Sequence, residues 1–224
     1  SALGIITERL RDRALAGEAR AQLAERGALE AQLAALQARM DPHFFFNSLN
    51  TVAALIEEDP RRAERAVEQL AELFRYTIER GPSERVTLQR ELDVVRDYLE
   101  LEQLRFEERL HVTIELEAGL EDVELPPLLV QPLAENAIQH GVAHCSQPVH
   151  VEVLARRDGQ HLELVVRDDA SPLPHESTGT QSALSTLARR LELNYGDGAN
   201  FAHGPRQPQG YEARIRLPLE GPKP

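Results

Sequence analysis

Two segments of this chain carry residues whose types and spacing can do chemistry. In Met40-Asp-Pro-His-Phe-Phe-Phe-Asn-Ser-Leu-Asn50 a histidine follows a proline where a helical pattern begins, among aromatic residues. His43 then sits near a helix N-terminus, and a spacing of four puts Asn47 on its face. An imidazole there can act as a nucleophile with Asn47 orienting it, or it can cap or pack the helix while Asn47 points at solvent. The second segment is Leu125-Pro-Pro-Leu-Leu-Val-Gln-Pro-Leu-Ala-Glu-Asn-Ala-Ile-Gln-His-Gly141. Read as one helix over 128–140, it brings Asn136 and His140 to one side and gives Leu129, Leu133 and Ala137 to a buried stripe. Polar residues kept beside an apolar stripe are candidates for a ligand site. An asparagine carbonyl is a hard oxygen donor of the kind magnesium accepts, together with phosphates and water.

The elements that must position these residues follow from periodicity. Residues 8–40 lack proline and are rich in Ala, Leu, Glu, Arg and Gln, with Leu29, Leu33, Leu36 and Met40 at alternating spacings of four and three, a coiled-coil seam. An amphipathic helix packed on its own domain fits the first turns equally, where Gly17 and Gly27 weaken a helix. Helical periodicity resumes after Pro42 to about Glu58 and again from Pro60 to about Arg80, where Gly81-Pro82-Ser83 stops it. Two such hairpins can pair as a four-helix bundle. A further helix over 88–108 buries Leu92, Val95, Leu99 and Phe106. Beyond Leu110 the pattern alternates in twos at residues 111–116, 149–154, 162–166 and 211–217, which predicts strands, with helices over 128–140 and 181–194 between them. The second half therefore reads as an α+β layer, residues 197–210 as a loop, and the tail from Gly221 as frayed. The expected modules are 1–35, a coiled-coil signalling helix; 36–109, the helical hairpin; and 110–220, the α+β domain.

Composition narrows the function. Across 224 residues, 37 Asp and Glu against 25 Lys and Arg give a net charge of −12, which repels a phosphate backbone and argues against direct nucleic-acid binding. A single cysteine, Cys145, cannot form an internal disulfide, which fits a reducing compartment. No apolar run approaches the roughly 20 residues of a bilayer span and no signal peptide is visible, so this piece is expected to be soluble and cytoplasmic. His140, His144 and Cys145 imitate a transition-metal cluster, but Gly141 is expected to end the helix before His144 and separate them.

Together, the two segments resemble the LytS-type branch of sensor histidine kinases, whose acceptor motif is close to Asn-Pro-His-Phe-Leu-Phe-Asn-Ser-Leu-Asn and whose asparagine box reads nearly Gln-Pro-Leu-Val-Glu-Asn-Ala-Ile-Lys-His-Gly. The likeness continues through Tyr98-Leu-Glu-Leu-Glu102 and Arg105-Phe-Glu-Glu-Arg-Leu110, so that roughly residues 36–219 are covered. It implies a dimerising helical hairpin followed by an ATP-binding sandwich of the gyrase, Hsp90 and histidine kinase type. It also implies ATP and Mg2+ as cofactors, a homodimer, phosphate relay to the receiver domain of a response regulator, and a parent often anchored in the inner membrane. Carried over by position, His43 is the phosphoacceptor and Asn136 the magnesium ligand, with Glu135 and His140 as neighbours in the asparagine box. Phe44 stands where many other histidine kinases place an acidic residue, which leaves the general base to Asp41 or Glu135.

The glycine-rich boxes depart from the family. Where Asp-Asn-Gly-Pro-Gly is expected, the chain reads Asp168-Asp-Ala-Ser-Pro172: Asp168 fits the adenine position, Asp169 is the alternative register, and both glycines are replaced. In the second box Gln181 and Ser182 occupy the glycine turn and leave Gly179 alone to face phosphate. Two functions follow: a working kinase with an altered lid, or a nucleotide-poor scaffold that dimerises and docks a response regulator or partner kinase. The opening helix is expected to receive its signal from an upstream sensor region of the same or another chain.

Overall fold

The computed structural model describes residues 42–79, 84–170 and 181–219. The coiled-coil seam, Asp41, Gly179 and the tail lie outside them. The chain divides into two compact units, Ser1–Phe45 and Phe46–Pro224. Of the first, residues 42–45 open helix α1 (Pro42–Glu58), with His43 exposed and Phe44 buried.

The second unit takes in the rest of α1 and α2 (Pro60–Glu79). The turn between these helices is chemically specified: the Asp59 carboxylate accepts the Arg62 N–H at 3.1 Å, and Pro60 supplies a first-turn residue with no N–H to satisfy. Helix α2 buries Ala63, Ala66, Leu70, Leu73 and Tyr76 against α3 (Leu88–Phe106) and leaves Val67, Ala71 and Ile78 exposed. Thr87 caps α3 by accepting the Arg90 N–H, and two-residue strands β1 (Val86–Thr87) and β3 (Glu124–Leu125) pair beside it. Leu92, Val95, Leu99 and Phe106 are buried as their periodicity predicts. Val94, Tyr98 and Leu101 are buried too, because α3 has α2 on one side and the sheet with its covering helices on another.

Five strands form the sheet: β2 (Leu110–Leu116), β4 (Val149–Asp158), β5 (His161–Asp168), β7 (Tyr211–Pro218) and β6 (Asn200–Pro205), in the order β2-β4-β5-β7-β6. Only β2–β4 is parallel, joined through helix α4 and its continuation; the remaining pairs are antiparallel. Register sorts the two faces. Val151, Val153 and Ala155 oppose Asp168, Val166 and Leu164, which with Ala213, Ile215 and Leu217 make the helix-covered core. On the other face, cross-strand charges pair: Arg156 and Arg214 both meet Glu163, and Arg167 meets Glu152. Helix α5 (Gln181–Tyr195) contributes Leu184, Leu187 and Leu191 to the core. Helices followed by an α+β sandwich is the expected fold class.

Two expectations need correction. Residues 200–205 are not loop but edge strand β6, paired with β7 from Asn200↔Arg216 to Pro205↔Tyr211. Asn-Phe-Ala-His-Gly-Pro has no alternating apolar face, and its mostly exposed residues gain strand geometry from the hydrogen bonds of β7 alone. The helix expected over 128–140 begins only at Gln131, runs as α4 (Gln131–Asn136), widens into a π turn (Ala137–Gly141) and tightens into a 3-10 turn (Val142–His144). Gly141 therefore does not end it.

Candidate nucleotide site

Asn136 closes α4 where the helix widens. It is 7% exposed, and among the described residues no protein group hydrogen-bonds its side-chain amide. The amide atoms are not sealed from solvent, so water or a ligand can take them up. The oxygen of such an amide suits magnesium. Glu135, one residue earlier, is half-buried and accepts the Gln131 side-chain amide at 2.8 Å. His140 lies half-buried in the π turn, an insertion that often marks functional helices.

Asp168 ends β5 on the helix-covered face and is 3% exposed. The register thereby separates the two aspartates: Asp169 points the other way, is exposed, and accepts the His150 N–H at 2.7 Å. Burial pushes the Asp168 carboxyl up from 3.8 to about 6, against the stabilising N–H groups of Ala170 and Tyr211. It is thus largely ionised near neutrality and can accept from an amino group.

Three backbone approaches shape this corner. A Cβ on Gly141 would lie 3.1 Å from Asp168 Cγ, so the glycine is there to let the helix reach the carboxylate. Gly210 holds φ at +100°, and a Cβ there would fall 1.9 Å from the Asp168 carbonyl oxygen. The β6–β7 connection is fastened to the same strand end, with Arg206 Nη1 donating to the Asp168 carbonyl at 3.2 Å and Gln209 Nε2 to that of Asp169 at 2.9 Å. Ala170, in the place of a family glycine, is buried without a positive φ and so needs no glycine. A shallow cavity of about 340 Å³ lined by Arg109, His144 and Cys145 contains none of these groups, and we assign it no part in the site.

The asparagine helix and Asp168 are thus brought to one corner, by Gly141. Asn47 is half-buried one turn after His43 on α1, and its carbonyl accepts the Thr51 hydroxyl at 3.0 Å. Sequence reading missed Gly210 and Arg206 as residues that shape this corner. The only available signal was the isolated Gly210 in a turn.

Comparison with known proteins bears on the family. The histidine kinase family model matches residues 31–110. The sensor protein LytS of Staphylococcus haemolyticus is 37% identical over 182 residues, 76% of this chain and 31% of that protein. The sensor histidine kinase BtsS of Escherichia coli is 35% identical over 190 residues, 84% of this chain and 34% of its own. The chain therefore spans about a third of the length of the curated relatives it matches. Among solved structures, the histidine kinase domain of a blue-light-activated kinase from Erythrobacter litoralis superposes with a TM-score of 0.48 at 20% identity, covering 87% of this chain and 96% of that one. Sequence relatives that share more than a third of their aligned residues across at least 76% of the chain leave one assignment: it belongs to the LytS-type sensor histidine kinases.

Proposed function

We propose that this chain is the cytoplasmic transmitter of a two-component system, a protein-histidine kinase that autophosphorylates His43 from Mg-ATP. The observation that carries this is the meeting of two largely buried polar residues at one corner: Asn136, and Asp168 held against Gly141 of the same helical run. Asn136 holds magnesium, which offsets the charge of the transferring phosphoryl group, and Asp168 accepts from the adenine amino group. His43, exposed in the first turn of α1, supplies the imidazole nitrogen that forms the N–P bond as the bond to ADP breaks. The phosphoryl group then passes to an aspartate of a response regulator receiver domain.

Exposed apolar residues of the hairpin fit a homodimer, which belongs to the same reading. Phe46, Leu49 and Ile56 on α1, and Val67 and Ile78 on α2, are exposed at bundle-like spacings of three and seven on the first helix and eleven on the second, a pattern that a second copy can cover in a four-helix bundle. Among the described residues no helix is long and apolar enough to cross a membrane.

The test is autophosphorylation with γ-labelled ATP and magnesium. Native chain should gain acid-labile label that both His43→Gln and Asn136→Ala lose. No label on folded native protein, with no heat of binding at millimolar Mg-ATP, refutes the kinase and leaves a scaffold.

A further inference from the structure

The segment leading into α4 is unusual. Pro126 and Pro127 have no N–H to donate, and Leu128 adopts φ +58°, a conformation that costs a side-chain-bearing residue about 1 kcal/mol or more. Strain of this kind persists only where neighbours over-determine it. Here Glu91 of α3, fully buried, accepts the Leu128 N–H on Oε2 at 2.9 Å, and on Oε1 the N–H groups of Leu129 and Val130 at 2.7 and 2.8 Å. From the opposite side Arg190 of α5 donates to the carbonyls of Leu128 and Pro127 at 3.0 and 2.6 Å. Val130, the helix cap residue, makes no side-chain capping bond; the distant carboxylate instead fixes the turn that leads into the helix, from Leu128 to the cap residue itself.

Glu91 has a fourth partner. Tyr76, 2% exposed on α2, donates its hydroxyl to Oε2 at 2.5 Å. Burying a carboxylate is a poor way to gain stability, since a well-packed apolar residue does as well or better. What an apolar residue cannot do is hold three successive N–H groups in one geometry. Asn136 follows Val130 by six residues, about 9 Å along a helix, so a tilt of the first turn displaces the amide. Displacements of about 1 Å at a reacting site cost up to a hundredfold.

We propose that Glu91 is a positioning residue for Asn136, and that Tyr76 ties this seat to α2, so that the position of the hairpin is felt at the nucleotide site. The link rests on the kinase reading only in what Asn136 binds. Its geometry can be tested without nucleotide.

The experiment compares 1H–15N spectra of the full chain with those of Tyr76→Phe and Glu91→Gln, nucleotide-free, and then Mg-ATP affinity by calorimetry. Tyr76→Phe should move the amides of Leu128, Leu129 and Val130 and the side-chain amide of Asn136, and weaken Mg-ATP binding about 3- to 10-fold. Glu91→Gln should weaken it by about tenfold or more, with the double variant no weaker than Glu91→Gln alone. Spectral changes confined to the surroundings of position 76, with Leu128–Val130 and Asn136 unmoved, overturn the proposal. A Glu91→Gln chain that fails to fold leaves the decision to Tyr76→Phe. Native protein that binds no Mg-ATP refutes the kinase reading, and the nucleotide-free spectra still decide the link.

Discussion

Replacing Asp168 with asparagine should make the protein more stable and a worse nucleotide binder. The carboxyl sits 3% exposed on the core face of β5, and burial raises it from 3.8 to about 6. Its folded value lies above the unfolded one. Between those two pH values the folded chain therefore holds a proton that the unfolded chain has released, and stability falls as pH rises through the window. Above about 6 the whole penalty applies, of order 3 kcal/mol. Asparagine keeps the shape and an oxygen to accept the Ala170 N–H, but puts an amide NH2 where the other oxygen lay, which takes back part of the gain. The expected net is about 1 to 2 kcal/mol at pH 7.5, a melting temperature higher by roughly 3 to 6 °C. Chemical or thermal unfolding of both proteins from pH 4 to 8 measures it directly. The gain should shrink steadily as pH falls below about 6, pass through zero near 5 and turn into a loss of about 1 kcal/mol near 4, while on the proposed reading Mg-ATP affinity at pH 7.5 drops because the carboxylate oxygen assigned to the adenine amino group is lost. A variant less stable than the native chain at pH 7.5, or a gain that does not change with pH, would refute the reasoning.

Gly210→Ala should cost about 3 kcal/mol or more in unfolding experiments, because φ is +100° and the new Cβ would fall on the Asp168 carbonyl. Gly141→Ala has a milder clash, 3.1 Å from Asp168 Cγ, and should lower Mg-ATP affinity several-fold in calorimetry while leaving a cooperative melt. Val67→Lys puts a charge in the exposed apolar stripe of α2; sedimentation should show the proposed dimer weakened by tenfold or more, with unchanged secondary structure by circular dichroism.

Periodicity and punctuation in the sequence are enough to place most elements. Pro42, Pro60 and the alternation in 111–116, 149–154, 162–166 and 211–217 mark helices and strands that the structure contains, because these signals act within one turn or one pleat. The motif around Asn136 likewise identifies the family from local residues. Strand β6 escaped because its pairing energy comes from β7, and the true start of α4 escaped because Glu91 sets it from 37 residues away. That Asp168 is buried and Asp169 exposed is a matter of β5 register against β4, which only the assembled sheet decides. Gly141 reads in sequence as a helix stop; in the fold it is a place where a helix passes within contact distance of a carboxylate. Local patterns record what each segment prefers, whereas a site is built from close approaches between segments distant in sequence, and those exist only once the core has packed.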